Sequence, residues 1–297
     1  MLNQYFIMQT LKLLEGSDIR LRFPETTVLE LGNNGEKTIK MYLFDRMVVV
    51  TPLEGNIVFL VMLYFTVVDA YIDTINPLLE GESFSKRYRG LAGRNDKQII
   101  LSQVYRILKV LRNSATHSRN TICLHHGVVT VSYQFKGTQF KLSVSQSGFE
   151  LIGTVVTYLA TDQRQSEAYT EALIRTFYED IRREVIVIED EFGASLEPIS
   201  RGVKLKRGRR IKVENPTISS NNVSIKFNVP SLHPAEQEFS NYDFPLSING
   251  VNYLIPAEVL DQNGKIHRDQ LIHWSLPHNI CQGDGVADNN SVCAQLI

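Results

Sequence analysis

One short segment, LRNSATH from Leu111 to His117, brings together an arginine, an amide and a histidine. Arginine stays charged at physiological pH and offers a planar set of donors to phosphate oxygens. An exposed histidine titrates near neutral pH, at about 6.5, so it can accept or donate a proton during a reaction. Arg112, Asn113 and His117 are therefore the candidate catalytic residues, and the chemistry that suits them is proton transfer beside a bound phosphate.

The sequence predicts that these residues end a helix running from Asp96 to about His117. Its apolar residues recur at helical spacing and form one stripe: Ile100, Val104, Ile107, Leu108, Leu111 and Ala115. At about 100° per residue, Arg106, Asn113 and His117 fall on the face opposite that stripe and are expected in solvent. Arg112 falls at the flank of the stripe, so its side chain must curl to approach His117. The alternative interpretation is a solvated helix end that carries these residue types by chance.

The flanking sequence predicts further helices and a β-hairpin. Residues 51–54, TPLE, fit a capping box with proline at the first helical position, and they precede an apolar helix that reaches Pro77. The apolar run within it, 57–68, is shorter than the roughly 20 residues that a bilayer requires, so we expect a core helix and no membrane span. Runs at 121–135 and 139–145 predict the hairpin. Helices are expected at 149–159 and 167–187.

Composition divides the chain into four predicted parts. They are an N-terminal α/β element at 1–50, a helical domain at 51–190, a β-rich domain at 203–280 and a tail at 281–297. In the β-rich part, short strands are expected at 211–213, 223–229, 246–248 and 253–255. The acidic stretch 189–191 is interpreted as part of a solvated linker. The predicted fold class is α+β, with a central four-helix bundle that contains the β-hairpin as an insertion.

Charge and cysteine usage narrow the class of protein. Hydrophobic residues make up 43% of the chain and charged residues 21%, and the net charge is -1, so any basic binding surface must be local. Three cysteines without a CxxC pair form no disulfide framework and favour a reducing, cytoplasmic location. The motifs GxxxxGK[ST], GxGxxG and GxSxG do not occur, so nucleotide hydrolase, dinucleotide-binding and serine hydrolase functions have no support.

The motif resembles the signature of the HEPN superfamily: an arginine, a polar residue, three further residues and a histidine at a helix end. Arg112, Asn113 and His117 occupy those positions, near the end of the third long helix of a predicted bundle. The similarity extends over roughly residues 51–187. The hairpin predicted after His117 is a departure, because many members pass sooner into the next helix.

This resemblance implies a metal-independent endoribonuclease of toxin or phage-defence type, with no cofactor. Two copies of the chain would meet so that two motifs line one cleft, and a regulatory protein or antitoxin is a further implied partner. His117 would act as general base or acid while a ribose 2′-hydroxyl attacks the adjacent phosphate. Arg112 would stabilise the developing charge, and Asn113 would position His117 or the phosphate. Some members have lost catalysis, so a dimerisation module that binds nucleic acid or protein is the alternative.

A basic segment, Arg201–Lys212, contains seven Lys and Arg residues and no acid. Its candidate nucleic-acid-binding residues are Lys204, Lys206, Arg207, Arg209 and Arg210. Each phosphate that such a residue neutralises adds salt-dependent affinity. The alternative is a solvated edge strand, in which lysine and arginine prevent aggregation.

Several smaller groups leave two interpretations open. A second basic group comprises Lys86, Arg87, Arg89 and Arg94. It either has a binding role or is ordinary surface charge. Asp69 and Asp73, one helical turn apart, either assist a site or lie at the edge of the core. His125 and His126 are adjacent and face opposite ways in a strand, although one of them can approach the groove near His117. His267, His273, His278 and Cys281 match no common zinc-finger spacing, so we predict no metal site.

Overall fold

The computed structural model describes residues 2–15, 17, 25–31, 37–40, 56–91, 95–117, 122–161, 166–200, 202–232, 237 and 240–277. The fold is mixed α+β, which confirms the predicted class. The chain divides into two compact units. The first unit comprises residues 1–22, 47–162 and 174–202, and the second comprises 23–46, 163–173 and 203–297.

The described part of the chain contains helices and strands in the following order. The helices are α1 (Leu2–Glu15), α2 (Ile57–Ile75), α3 (Phe84–Leu91), α4 (Asp96–His117), α5 (Gln146–Ala160) and α6 (Glu167–Glu184). The strands are β1 (Glu25–Leu31), β2 (Lys37–Lys40), β3 (Cys123–His125), β4 (Val128–Phe135), β5 (Thr138–Ser145), β6 (Val185–Glu189), β7 (Arg209–Glu214), β8 (Ile218–Ser220), β9 (Ser224–Phe227), β10 (Ser240–Ile248), β11 (Val251–Pro256) and β12 (Lys265–His267). Short 3₁₀ turns begin at Pro77, Ala257 and Arg268.

The first unit combines helices with an antiparallel sheet of order β3-β4-β5-β6. The predicted hairpin is confirmed as β4 and β5, joined by Lys136 and Gly137. Both turn residues have positive φ, 48° and 83°, which a two-residue hairpin turn of this kind requires. Helices α4 and α5 pack against this hairpin, and α2 packs against both of them. The hairpin therefore supplies a wall beside the helix that carries the candidate site.

Helix α4 has the bounds that the sequence predicts, but its burial is different. The Asn95 side chain caps its first turn by accepting a hydrogen bond from the Gln98 amide at 2.9 Å. Every residue from Ile100 to Leu111 is buried, because helices pack on several sides of α4 and the sheet on another. Five residues of the predicted stripe are buried as expected: Ile100, Val104, Ile107, Leu108 and Leu111. The expectation that the opposite face lies in solvent is wrong for Arg106, which is only 2% exposed.

The N-terminal end of α4 is anchored through Asp96, which predicts a pH dependence of stability. Burial by itself would raise the pKa of Asp96. Hydrogen bonds from Ser200 and the ion pair with Arg175 at 2.6 Å have a larger effect in the opposite direction, so the pKa lies below its usual value. A depressed folded-state pKa contributes stability above the unfolded value of about 3.9, and that contribution is lost as the pH falls through the folded value. We expect the stability difference between the wild type and Asp96→Asn to be constant near neutrality and to shrink below about pH 4. Urea unfolding of both proteins from pH 3 to 7 measures it, and a difference that grew on acidification would contradict this.

Helix α2 is the described helix that is long and apolar enough to cross a membrane by length and composition, and 33% of its most apolar window is buried. Its buried residues are Leu60, Val61, Tyr64, Val67, Val68 and Ile72. Asn56 caps the helix, accepting a hydrogen bond from the Phe59 amide at 3.1 Å, whereas the predicted capping box at 51–54 lies outside the described residues. Asp69 and Asp73 of this helix bind the buried Arg87 of α3 at 2.6 and 3.0 Å. These two acids thus hold α3 against α2.

Strand β6 replaces the end of a predicted helix and the start of a predicted linker. Helix α6 ends at Glu184, and the β-branched run Val185–Ile188 continues as a strand paired with β5. The interpretation of 189–191 as a solvated linker is wrong for Asp190, whose side chain has no exposed surface. The reason is a buried partner, described below, that composition does not reveal.

The second unit contains a five-stranded sheet of order β11-β10-β7-β1-β2 and a three-stranded sheet of order β12-β9-β8. The predicted strands of the β-rich part are confirmed as β7, β9, β10 and β11. The structure groups the first 50 residues differently from the prediction, because β1 pairs in parallel with β7 while α1 belongs to the first unit. Strand β7 is the middle strand of its sheet, not the solvated edge strand that was the alternative for the basic segment.

Candidate functional site at the end of helix α4

The last turns of α4 place Arg112 and Asn113 side by side. Nη1 of Arg112 donates a hydrogen bond of 3.2 Å to Oδ1 of Asn113. The guanidinium carbon of Arg112 lies 5.6 Å from the centroid of the Phe65 ring on α2, a cation–π distance. Both Arg112 and Asn113 are half-buried. His117 is the last residue of the helix, and its side chain lies outside the described residues.

Tyr133 of β4 connects the hairpin to this part of α4. Burial raises the pKa of the Tyr133 phenol, and a hydrogen bond from the Asn113 side chain opposes that rise. The Tyr133 hydroxyl in turn donates to the carbonyl oxygen of Val110 at 3.3 Å. The Tyr133 ring stacks on Phe140 of β5, with centroids 4.9 Å apart and planes within 5°. Tyr133 therefore anchors the hairpin to the backbone of α4 at Val110.

Nearly two turns before Arg112, Arg106 makes a buried ion pair that accounts for its own burial. Its Nε and Nη2 donate to the two carboxylate oxygens of Asp190 at 2.9 and 2.7 Å. The backbone carbonyls of Gly193 and Ser195 accept further hydrogen bonds from it, at 2.7 and 2.8 Å. Arg106 thus uses its donors to hold the segment after β6 against α4, which is a structural role. The sequence predicts Arg106 on an exposed face together with Asn113, and this prediction is wrong because Arg106 is buried.

Between these two groups, Lys109 is buried among aromatic rings. Its ammonium lies 2.5 Å from Oε1 of Glu191 and within 4.9 Å of the ring centroids of Phe84 and Phe140. Arg106 and Lys109 thus bind the middle of α4 to the segment after β6. Arg112 and Asn113, one turn beyond Lys109, are half-buried.

The structure separates the residues of the basic segment, and it removes Arg210 from any binding surface. Arg210 is 2% exposed and forms ion pairs with Asp243, at 2.5 Å, and with Glu258. The Tyr169 hydroxyl donates to the same Asp243 at 2.8 Å. An arginine in the middle strand of a sheet must point to one face of it, and here that face is the interior. The assignment of Arg210 to nucleic-acid binding is therefore wrong.

The other four predicted binding residues lie nearer the surface of the second unit. Lys204 and Arg209 are exposed, whereas Lys206 and Arg207 are half-buried. The Lys206 amide donates to Oε1 of Glu258 at 2.9 Å, and its ammonium contacts the carbonyl oxygen of Gln237. Lys204 and Arg209 are thus the more accessible cations of this segment.

The smaller candidate groups add little to the site. Arg87 is buried by its ion pairs, which removes it from the second basic group, and Arg94 lies outside the described residues. His125 and His126 are exposed, and their rings contact each other with centroids 3.9 Å apart because His126 lies in the turn after β3. Among the residues that the structure describes, no three His, Cys, Asp or Glu side chains cluster as metal ligands do. His278 and Cys281 lie outside those residues.

One residue beside Arg112 is not among the candidates that the sequence indicates. Phe65 lies on α2, 47 residues before Arg112 in the sequence. The apolar run of α2 indicates that its side chain is buried in part, but the pattern does not indicate which residue it contacts.

Searches against family models, curated proteins and solved structures found no match to this chain. The chemistry of the residues at the end of α4, together with the resemblance of their motif, therefore carries the functional conclusion.

Proposed function

We propose that the protein is a metal-independent endoribonuclease of HEPN type, in which Arg112, Asn113 and His117 act on the RNA backbone. The supporting observation is the contact between Arg112 and Asn113, 3.2 Å apart and half-buried, on the helix that ends at His117. In this proposal, α2, α4, α5 and α6 correspond to the four-helix bundle of the superfamily. The protein acts as a homodimer in the cytoplasm, with an antitoxin or regulatory protein as a further partner.

The reaction would be an intramolecular transesterification. His117 removes the proton from the ribose 2′-hydroxyl, which attacks the adjacent phosphorus, and the bond to the 5′-oxygen of the next nucleotide breaks. The leaving oxygen receives a proton from a protonated histidine, which the second copy of the motif supplies in a dimeric cleft. Arg112 stabilises the negative charge that develops on the phosphate oxygens.

A phosphate that binds at the C-terminal end of α4 requires a cation there. The C-terminal end of a helix carries a partial negative charge of about half a unit, which repels a phosphate. A fixed guanidinium at that end reverses the local sign of the field and also supplies paired donors to phosphate oxygens. The dipole also stabilises an arginine at this position without any substrate, so the effect of Arg112 replacement on cleavage is what distinguishes the two roles.

The direct test is cleavage in EDTA of single-stranded RNA and of DNA with the same sequence. We expect the RNA to be cut and the DNA to remain intact, because the nucleophile is the 2′-hydroxyl. The RNA fragments should carry 2′,3′-cyclic phosphate ends, which mass spectrometry identifies. Equal cleavage of both strands, or intact RNA across diverse sequences, would refute the proposal.

A second candidate function is a non-catalytic binding module, and the exposed Lys204 and Arg209 favour it. For this function we expect that the double variant Lys204→Gln, Arg209→Gln weakens RNA binding and reduces the steepness of its salt dependence. On a single strand, the slope of log K against log salt should change by about 0.7 for each phosphate that the variant no longer neutralises. Fluorescence anisotropy at low and at high salt measures it.

The matched control is the double variant Lys226→Gln, Lys265→Gln, which neutralises two exposed lysines elsewhere in the same unit. An unchanged slope in Lys204→Gln, Arg209→Gln would remove the basic segment from any RNA-binding role. Arg210 is unsuitable for this experiment, because its replacement would leave Asp243 buried without its cation.

A further inference from the structure

Strand β6 is an edge of the sheet in the first unit. It pairs with β5 on one side, and no strand among the described residues pairs with its other side. Four of its five residues are β-branched and apolar, and the strand contains no lysine or proline, the residues with which proteins commonly protect an exposed edge. An edge of this composition favours pairing with a further strand.

A β-bulge in β6 turns two apolar side chains away from the core. Residues 185 and 187 pair with consecutive residues of β5, so Ile186 is the additional residue of the bulge. Ile186 is 63% exposed and Val187 is 41% exposed. The same face of β4 and β5 is polar and carries Thr130, Ser132, Gln134, Lys141 and Ser143. The outer face of the sheet therefore changes from polar to apolar at the β6 edge.

A groove of about 380 Å³ follows this edge. It is lined by all five residues of β6, by residues 194–196 and by Arg182 near the end of α6. The segment 194–196 reaches the groove because the chain reverses between Asp190 and Gly193, which exchange both backbone hydrogen bonds at 3.3 and 3.2 Å. The groove thus has an apolar length, with a cation where β6 begins and a carboxylate, Glu189, where it ends.

We infer that β6 pairs with β6 of a second copy of the chain, antiparallel across a twofold axis, so that the two sheets join into one. The order of the charges favours this occupant. Antiparallel pairing sets the start of one strand against the end of the other, so Arg182 of each copy lies toward Glu189 of the other. Parallel pairing would bring equal charges together, which is unfavourable.

Both charges can change partner at small cost. Arg182 contacts Glu179 at 3.2 Å and Glu189 contacts Lys141 at 3.3 Å, and both pairs are partly exposed. Ion pairs of this kind contribute little in water. Strand pairing would bury the two outward apolar side chains and satisfy the outer backbone groups of both edges. The inference rests on the proposed function for the expectation of two copies, but the edge itself is a property of the fold.

The first experiment measures molecular mass by sedimentation velocity from about 1 to 300 μM, because a small interface gives a weak dimer. We expect a monomer–dimer equilibrium, with a Kd that Ile186→Lys raises at least about 100-fold, since an edge lysine opposes strand pairing. The matched control is Leu124→Lys, a residue 50% exposed on β3, the opposite edge of the same sheet. It should dimerise like the wild type.

Two results would overturn the inference. A wild type that is monomeric at every concentration would leave the groove to a strand of another protein. Dissociation by Leu124→Lys but not by Ile186→Lys would move the interface to the other edge of the sheet.

The second experiment exchanges the charges at the ends of the groove. Arg182→Glu and Glu189→Arg each place equal charges at both ends of a twofold interface, so each should raise Kd at least about tenfold. The double variant restores opposite charges and should return Kd to within about threefold of the wild type. Circular dichroism checks that all the variants fold. A folded double variant that dimerises as weakly as the single variants would overturn the antiparallel pairing.

RNA cleavage by the same variants separates this inference from the proposed function. Because the proposed cleft needs two copies, Ile186→Lys should lose cleavage in proportion to the dimer that it loses. A protein that dimerises through β6 and cuts no RNA would refute the ribonuclease and leave the interface intact. A protein that cuts RNA as a monomer would overturn the interface and leave the catalytic residues as proposed.

Discussion

Replacing His117 by alanine should reduce RNA cleavage by at least about 100-fold, the lower end of the range of about 10² to 10⁴ that general acid–base catalysis contributes. If the motif supplies both the base and the acid from its two copies, the reduction should approach the upper end, since one change removes both groups.

Replacing Arg112 by alanine should lower kcat by about 10² to 10³, as the removal of one charge-stabilising donor does elsewhere. Initial rates on a fluorescent RNA in EDTA measure both effects.

The control for this experiment is His125→Ala, which removes an exposed histidine of the first unit. It should cleave at the wild-type rate, and circular dichroism should show equal helix content in all the variants. If His117→Ala cleaves as fast as the wild type, His117 is not the proton-transfer group. If His125→Ala abolishes the activity instead, the exposed histidine pair after β3 becomes the candidate.

Breaking the Arg106–Asp190 pair should have the largest effect on stability. Arg106→Ala leaves a carboxylate with no exposed surface and no cation, and Asp190→Ala leaves a guanidinium that is 2% exposed. Removing one partner of a buried ion pair costs about 3 to 5 kcal/mol. Arg106 also binds the carbonyls of Gly193 and Ser195, so we expect Arg106→Ala to be at least as destabilising as Asp190→Ala. Urea unfolding followed by fluorescence measures the decrease in the free energy of unfolding.

The comparison variant is Arg183→Ala, which removes a surface arginine that is 75% exposed and pairs with Asp180 within one turn. Exposed pairs of this kind contribute between about 0 and 1 kcal/mol, so its stability should be close to that of the wild type. If Arg106→Ala proved as harmless as Arg183→Ala, the segment after β6 would not depend on this ion pair for its position.

Much of the secondary structure could be predicted because its signals are local. The bounds of α4 follow from its apolar spacing, and the β4–β5 hairpin follows from alternating β-branched residues around Lys136-Gly137. The helical period of α6 predicts a helix to 187, but the helix ends at Glu184. The run VIVI that follows has a β-branched residue at every position, which favours the strand that the structure shows.

Burial along α4 could not be predicted, because it depends on residues far away in the sequence. Arg106 and Asp190 are separated by 84 residues, and neither the helical period nor the acidic composition of 189–191 indicates that they meet. The same reason explains Arg210, which a basic segment places at the surface and which a middle strand and Asp243 hold in the interior. A charged residue can be assigned to solvent only when its distant partners are known.

The sequence by itself determined the types and spacing of Arg112, Asn113 and His117 and the helix that carries them, because side-chain chemistry and helical periodicity are written within a few neighbouring residues. Only the tertiary structure decided what packs against the arginine, since Phe65 reaches it from a different helix. The physical reason is that a hydrogen bond or a ring contact forms between atoms brought together by packing, and packing joins segments whose separation along the chain leaves no local pattern.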